Sequence, residues 1–141
     1  MSEENVRWVR ESYAARDAGT RGGMIEQQVL FAALAERIVP ATEFDFTSAY
    51  PDRPVMRGLD ELQRFREDGP WQELNFQPER FIDVDDEHVL VMVRVDAKGK
   101  GSGARVELLN AHQFTIRDGV LVRFKVYSDR DEALEDAGLA G

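Results

Sequence analysis

Residues 104–129, ARVELLNAHQFTIRDGVLVRFKVYSD, decide the fold, because they read as the two arms of a β-hairpin with one polar ring, His112, on an apolar face. Strand alternation places Val106, Leu108, Asn110, His112, Phe114 and Ile116 on one side of the first arm and Glu107, Leu109, Gln113, Thr115 and Arg117 on the other. In the second arm Val120, Val122, Phe124 and Val126 oppose Arg123, Lys125 and Tyr127. A two-residue turn at Asp118-Gly119 would pair 117 with 120 and 112 with 125, setting the apolar row of one strand against the charged row of the other. A three-residue loop, Arg117-Asp118-Gly119, with Gly119 as a left-handed bulge, pairs 116 with 120, 114 with 122 and 112 with 124, and brings the apolar rows together. The pattern therefore predicts the longer loop, and an ionisable ring directed into the interior.

Composition narrows the possible functions. The 141 residues carry 27 acidic and 18 basic side chains, a net charge of −9, and no cysteine. Lys and Arg gather on no face, so nucleic acid is not expected as a partner, and an acidic surface disfavours anionic membranes. Without thiols there are no disulfides, no cysteine nucleophile and no common structural zinc site. The start, MSEENVRWVRES, lacks a basic end followed by an apolar run, and no stretch approaches the roughly 20 apolar residues of a membrane span, so a cytoplasmic protein is expected. With no linker or repeat, residues 1–141 are expected to form one domain.

Ser2 with Glu3 and Glu4 starts a helix whose stripe is Val6, Val9, Tyr13 and Ala14, ending near Gly19. A second helix is expected from Met24 to Ile38, stopped by Pro40. Glu43–Thr47 reads as a short strand, followed by a Pro-rich loop at 50–54. Gly58 precedes a third helix with Leu59, Leu62 and Phe65 inward, ended by Asp68-Gly69-Pro70. Strands follow at 73–84, 87–97, 104–117 and 120–128, and SDRDEALEDAGL forms a short closing helix capped at Ser128 or Asp129 and stopped by Gly138. The fold class is α+β: a strongly curved, mixed or antiparallel sheet, cone-shaped and covered by three N-terminal helices, with a ligand site at the mouth of the cone.

Three stretches carry a family resemblance: SYAARDAG in the first helix, FDFTSAYPDRPVMRGLDELQRF in the middle, and AHQFTIRDGVLVRFKVYSDRDEALEDAGL at the end. With these the chain resembles the SnoaL-like group of the nuclear transport factor 2-like superfamily, which includes ketosteroid isomerase, scytalone dehydratase, limonene epoxide hydrolase and polyketide cyclases. The resemblance implies a cystatin-like roll, no cofactor, and pairing of two chains through the outer sheet face, where Glu107, Leu109, Lys125 and Tyr127 fall. In ketosteroid isomerases a helix-one tyrosine and a late-strand aspartate donate to an oxyanion while a first-strand aspartate moves the proton. The resemblance places these roles on Tyr13, His112 and Asp45. A histidine in place of the late-strand aspartate removes the isomerase set itself, although imidazole can still donate to an oxyanion or act as a base.

Each candidate also has a purely structural reading. His112 either lines a cavity or is a core histidine satisfied by a carbonyl or by Asn110. Asp45, between Phe44 and Phe46, either faces the cone or shares a solvated edge with Glu43 and Thr47. Tyr13 is a core residue or a catalytic hydroxyl. Arg94 is an anion ligand or an outward ion pair. Trp8 is expected to anchor packing and Trp71 the cone rim, while His88 sits in a solvated turn. The run GKGSG joins two strands and lacks phosphate-loop spacing, and the two histidines have no metal-ligand spacing. Together these features imply a small-molecule-binding protein, an isomerase, cyclase or dehydratase acting by acid-base chemistry on an apolar cyclic or polyketide-like molecule. His112, Asp45 and Tyr13 would act on the ligand, and Asn110, Phe114, Phe124, Val126 and Trp71 would hold it. The alternative is a non-catalytic ligand-binding or dimeric association module.

Overall fold

The computed structural model describes residues 2–15 and 23–139. Helix α1 (Ser2–Tyr13) is followed by a two-residue strand β1 (Ile25–Glu26), helix α2 (Gln27–Leu34), a 3-10 turn (Ala35–Arg37), strands β2 (Ile38–Asp45) and β3 (Met56–Arg57), and helix α3 (Gly58–Asp68). Four long strands complete the sheet, β4 (Trp71–Asp83), β5 (His88–Gly99), β6 (Arg105–Arg117) and β7 (Val120–Tyr127), before helix α4 (Arg130–Asp136). The end of the first helix expected near Gly19 lies outside the described residues. The seven strands form one curled, unclosed sheet in the order β1-β4-β5-β6-β7-β2-β3, antiparallel throughout except for the parallel β2–β7 pair. This is the expected α+β architecture with a mixed sheet.

The Met24–Ile38 segment departs from a continuous helix. Its first residues pair with β4, Ile25 opposite Phe76, and its last turn tightens to a 3-10 turn, so only eight residues remain α-helical. Pro40 lies within β2, in the irregular stretch between the Ile38–Leu121 and Glu43–Arg123 pairings. A proline fits there because a bulge needs no ladder donor at that position. Thr42 closes the gap, its Oγ1 donating to the Leu121 carbonyl at 2.6 Å and accepting from the Val39 amide at 2.9 Å.

The hairpin turn is shorter than the pattern predicted. Arg117 pairs with Val120, so Asp118-Gly119 is a two-residue turn, with φ of 53° and 77° as a mirror-image turn requires. Parity is restored inside β7, where Ile116 pairs with Leu121 but Thr115 with Arg123, leaving Val122 as the extra residue of a bulge. Beyond it Phe114 faces Phe124 and His112 faces Val126. The apolar rows therefore coincide as expected, but by a bulge one step into the strand, and Leu121 replaces Val120 and Val122 in the core.

The main core lies on the concave face, where Trp8, Val9 and Tyr13 of α1, Leu30 and Leu34 of α2, and Leu62 of α3 pack on Val89, Val91, Val93, Phe114 and Phe124. Leu59, expected inward, is 41% exposed, because it falls off the buried stripe of α3. A second, smaller cluster occupies the convex face, where Ala133 of α4 packs with Leu90, Met92, Ala111 and Tyr127. Asp129 caps α4, its side chain accepting from the Asp131 amide at 2.8 Å. Tyr127 is thus buried beneath α4, its hydroxyl donating to Asp136 at 2.9 Å, and is not part of an open outer face. No helix among the described residues is long and apolar enough to cross a membrane.

Candidate functional site

His112 reaches the interior because β6 alternates across a sheet covered on its concave side by α1 and α2. The ring is 1% exposed and boxed by Phe76, at 4.9 Å between centroids, and Phe124, at 5.0 Å. Burial among hydrocarbon disfavours the imidazolium and holds the pKa at about 3, so the ring is neutral at physiological pH. The Tyr13 hydroxyl lies 2.5 Å from His112 Nδ1, and burial raises the pKa of that phenol well above its ordinary value. Two neutral groups therefore share one proton position. With Tyr13 donating to Nδ1, Nε2 carries a hydrogen and is a donor; with the other tautomer, Nε2 is an acceptor.

The ring forms the base of a cavity of about 320 Å³ between the concave sheet, α2, α3 and the loop after β2. Of the wall expected from sequence, Asn110, Phe124, Val126 and Trp71 line it together with His112. Phe114 and Tyr13 do not: both are fully buried one layer deeper, with their rings 6.0 Å apart. Trp71 forms the rim, its indole donating to the Tyr50 hydroxyl at 2.6 Å, and Phe46 and Phe65 stack edge-on across the mouth at 5.2 Å. Asn110 turns its side chain to the cavity while its carbonyl accepts from Arg130 Nε at 3.2 Å.

Asp45 is buried, but it does not line this cavity. Phe44 pairs with Phe124 on the core side, so Asp45, the next residue, points to the opposite face of β2. Its carboxylate accepts from the Thr47 amide at 3.0 Å and the Thr47 hydroxyl at 2.6 Å, and pairs with Arg123. Burial by itself would raise the Asp45 pKa, but the Thr47 bonds and the Arg123 charge outweigh it and hold the carboxyl below its usual value. The expectation that Asp45 faces the cone beside His112 is corrected on this geometry. Arg94 points outward to Glu79 at 4.0 Å, and His88 hydrogen-bonds Asp85 at 2.8 Å in its turn.

One charged lining residue escaped the sequence reading. Arg66 sits on the inward stripe of α3, four residues after Leu62 and one after Phe65, and borders the cavity. The signal was present, since i, i+3, i+4 spacing marks a single helix face and here ends on a cation. Among the described residues no cluster of three His, Cys, Asp or Glu is placed to hold a metal ion.

No family model and no curated protein matches the chain. Solved structures do. An NTF2-like protein of unknown function from Burkholderia pseudomallei K96243 superposes with a TM-score of 0.67 at 20% identity, over 93% of this chain and 95% of that one. TerC, co-crystallised with polyporic acid, gives 0.65 at 19% identity over 95% and 98%. A protein named as a SnoaL-like polyketide cyclase, from Jannaschia sp. CCS1, gives 0.60 at 19% identity over 99% and 91%. With its curled mixed sheet covered by helices, this chain has the nuclear transport factor 2-like fold.

Proposed function

We propose that this protein binds an apolar cyclic or polyketide-like molecule in the cone and uses His112 to hydrogen-bond one oxygen of it. The carrying observation is the neutral His112–Tyr13 pair at the base of a largely aromatic and aliphatic cavity. A neutral imidazole in a dry site is a strong donor to a carbonyl that gains negative charge, as in enolisation, cyclisation or dehydration. Tyr13 fixes the ring's tautomer and orientation, and the Asn110 amide supplies a second polar group for the ligand. This reading is in keeping with a structural neighbour that was crystallised with polyporic acid. Calorimetric titration with 2-naphthol tests the binding half: His112→Phe, which keeps ring volume and removes the donor, should weaken affinity about tenfold, the worth of one hydrogen bond of about 1.4 kcal/mol. Unaltered affinity would remove His112 from the site.

A non-catalytic binder is the second reading, favoured by the absence of any carboxylate among the described residues that line the cavity. Deuterium uptake at the α-carbons of 2-tetralone, followed by NMR, separates the two. Acceleration by the wild type that His112→Phe abolishes supports turnover, and no acceleration leaves the binder. We further propose a cytoplasmic homodimer that pairs through the outer face of β6, where Leu109 is 53% exposed near Glu107.

A further inference from the structure

Among the described residues lining the cavity, one is charged at neutral pH, and it is a cation in a chain of net charge −9. Arg66 is half-buried at the mouth. Its Nε donates to Gln27 Oε1 at 3.2 Å, one terminal nitrogen to Gln63 Oε1 at 3.3 Å and the other to Gln28 Oε1 at 3.1 Å. All three acceptors are neutral amides. Arg57, Arg105, Arg117, Arg123 and Arg130 each have a carboxylate within ion-pair distance, whereas Arg66 has none among the described residues.

The amide cradle holds the guanidinium in one orientation without cancelling its charge. Three of its five N–H groups are used and two remain for a ligand. The first turn of α2, which supplies Gln27 and Gln28, has no acidic residue, and its N-cap residue, Glu26, makes no side-chain cap hydrogen bond. The neighbouring groove holds Glu26, Glu67 and Glu73, but none of the three is within ion-pair distance of Arg66; Glu73 pairs with Arg105 at 3.2 Å, and Glu67 accepts from Gln63 at 3.2 Å.

We infer that the cavity's ligand is a carboxylate, its acid group bound by Arg66 at the mouth and its ring system directed inward to His112. This rests on the proposed small-molecule cavity and specifies its substrate class. A planar carboxylate matches the guanidinium fork, and burial of the remainder beneath Tyr50, Phe65 and Trp71 excludes water that would screen the pair.

The test is calorimetric titration of 2-naphthoate and its methyl ester, which share one ring and differ in charge, against wild type, Arg66→Met and Arg66→Lys at low salt. The wild type should prefer the carboxylate at least tenfold. Arg66→Met should lose that preference while binding the ester as before, which also shows that the variant is folded, and Arg66→Lys should keep part of it. Equal affinities in the wild type, or a preference that survives Arg66→Met, overturn the inference and leave the cavity reading standing. If neither compound binds the wild type, the cavity reading fails and this inference with it.

Discussion

His112 is held neutral by burial, and that has a measurable consequence for stability. Its folded-state pKa of about 3 lies below the ordinary 6.5 expected in the unfolded chain. Below pH 6.5 the unfolded chain therefore takes up a proton that the folded protein refuses. Stability falls as the pH drops from about 6.5 toward about 3, with a limiting slope of about 1.4 kcal/mol per pH unit from this residue. Urea unfolding at pH 7 and pH 5 should show a steeper loss for the wild type than for His112→Phe, and parallel behaviour would mean that the ring is solvated. Asp45 does not contaminate the comparison between pH 7 and pH 5. Its pKa is depressed in the folded protein, so the stability it contributes is present above the ordinary 3.8 and is lost only as the pH falls below it. Tyr13→Phe leaves Nδ1 without this partner and should cost about 1–3 kcal/mol, read from the same urea transitions at pH 7.

The hairpin shows how an element reconciles two local demands. Asp118-Gly119 is a strong two-residue turn signal, and the alternation of both arms demands a register that such a turn forbids. The structure satisfies both by leaving Val122 unpaired in β7. Deleting Val122 removes the bulge but keeps Ile116 opposite Leu121 and Phe114 opposite Phe124, so the apolar row of β7 should stay on the concave face and the protein should keep its cooperative thermal transition. Val122→Ala keeps the chain length and, at a half-buried site, should cost no more than about 1 kcal/mol. Loss of the cooperative melt in the deletion would refute Val122 as the surplus residue of the hairpin. At the turn itself, Gly119→Val forces a β-branched residue to a φ of 77° and should lower stability by about 1–2 kcal/mol. The pattern thus predicted which faces meet but misplaced the extra residue, because parity constrains only the sum of turn and bulge.

At the scale of the whole molecule, α4 divides the outer sheet face. It covers Tyr127 and packs on Leu90 and Met92, while β6 remains exposed at Glu107 and Leu109. A dimer built on this face must therefore centre on β6. Leu109→Lys should shift the mass from dimer to monomer in light scattering at micromolar concentration, since a buried charge without a partner costs several kcal/mol at an interface. A wild-type monomer under the same conditions would remove the proposed pairing. The cavity itself is a property of this scale. Its base comes from β6, its walls from β7 and the loop after β2, and its mouth from α2, α3 and Trp71.

Local pattern was enough for the order of elements, the antiparallel run of four long strands, the inward direction of His112 and the capped closing helix, because periodicity, capping and backbone chirality act over a few residues. Only packing decided which way Asp45 points, where the hairpin takes up its extra residue, and that the cone retains an open volume. Those features depend on register summed across strands and on volume left between elements, which no single segment contains. Arg66 belongs to both classes: its place on the helix stripe is readable, but its unneutralised charge depends on three glutamines from two helices that meet only in the folded chain.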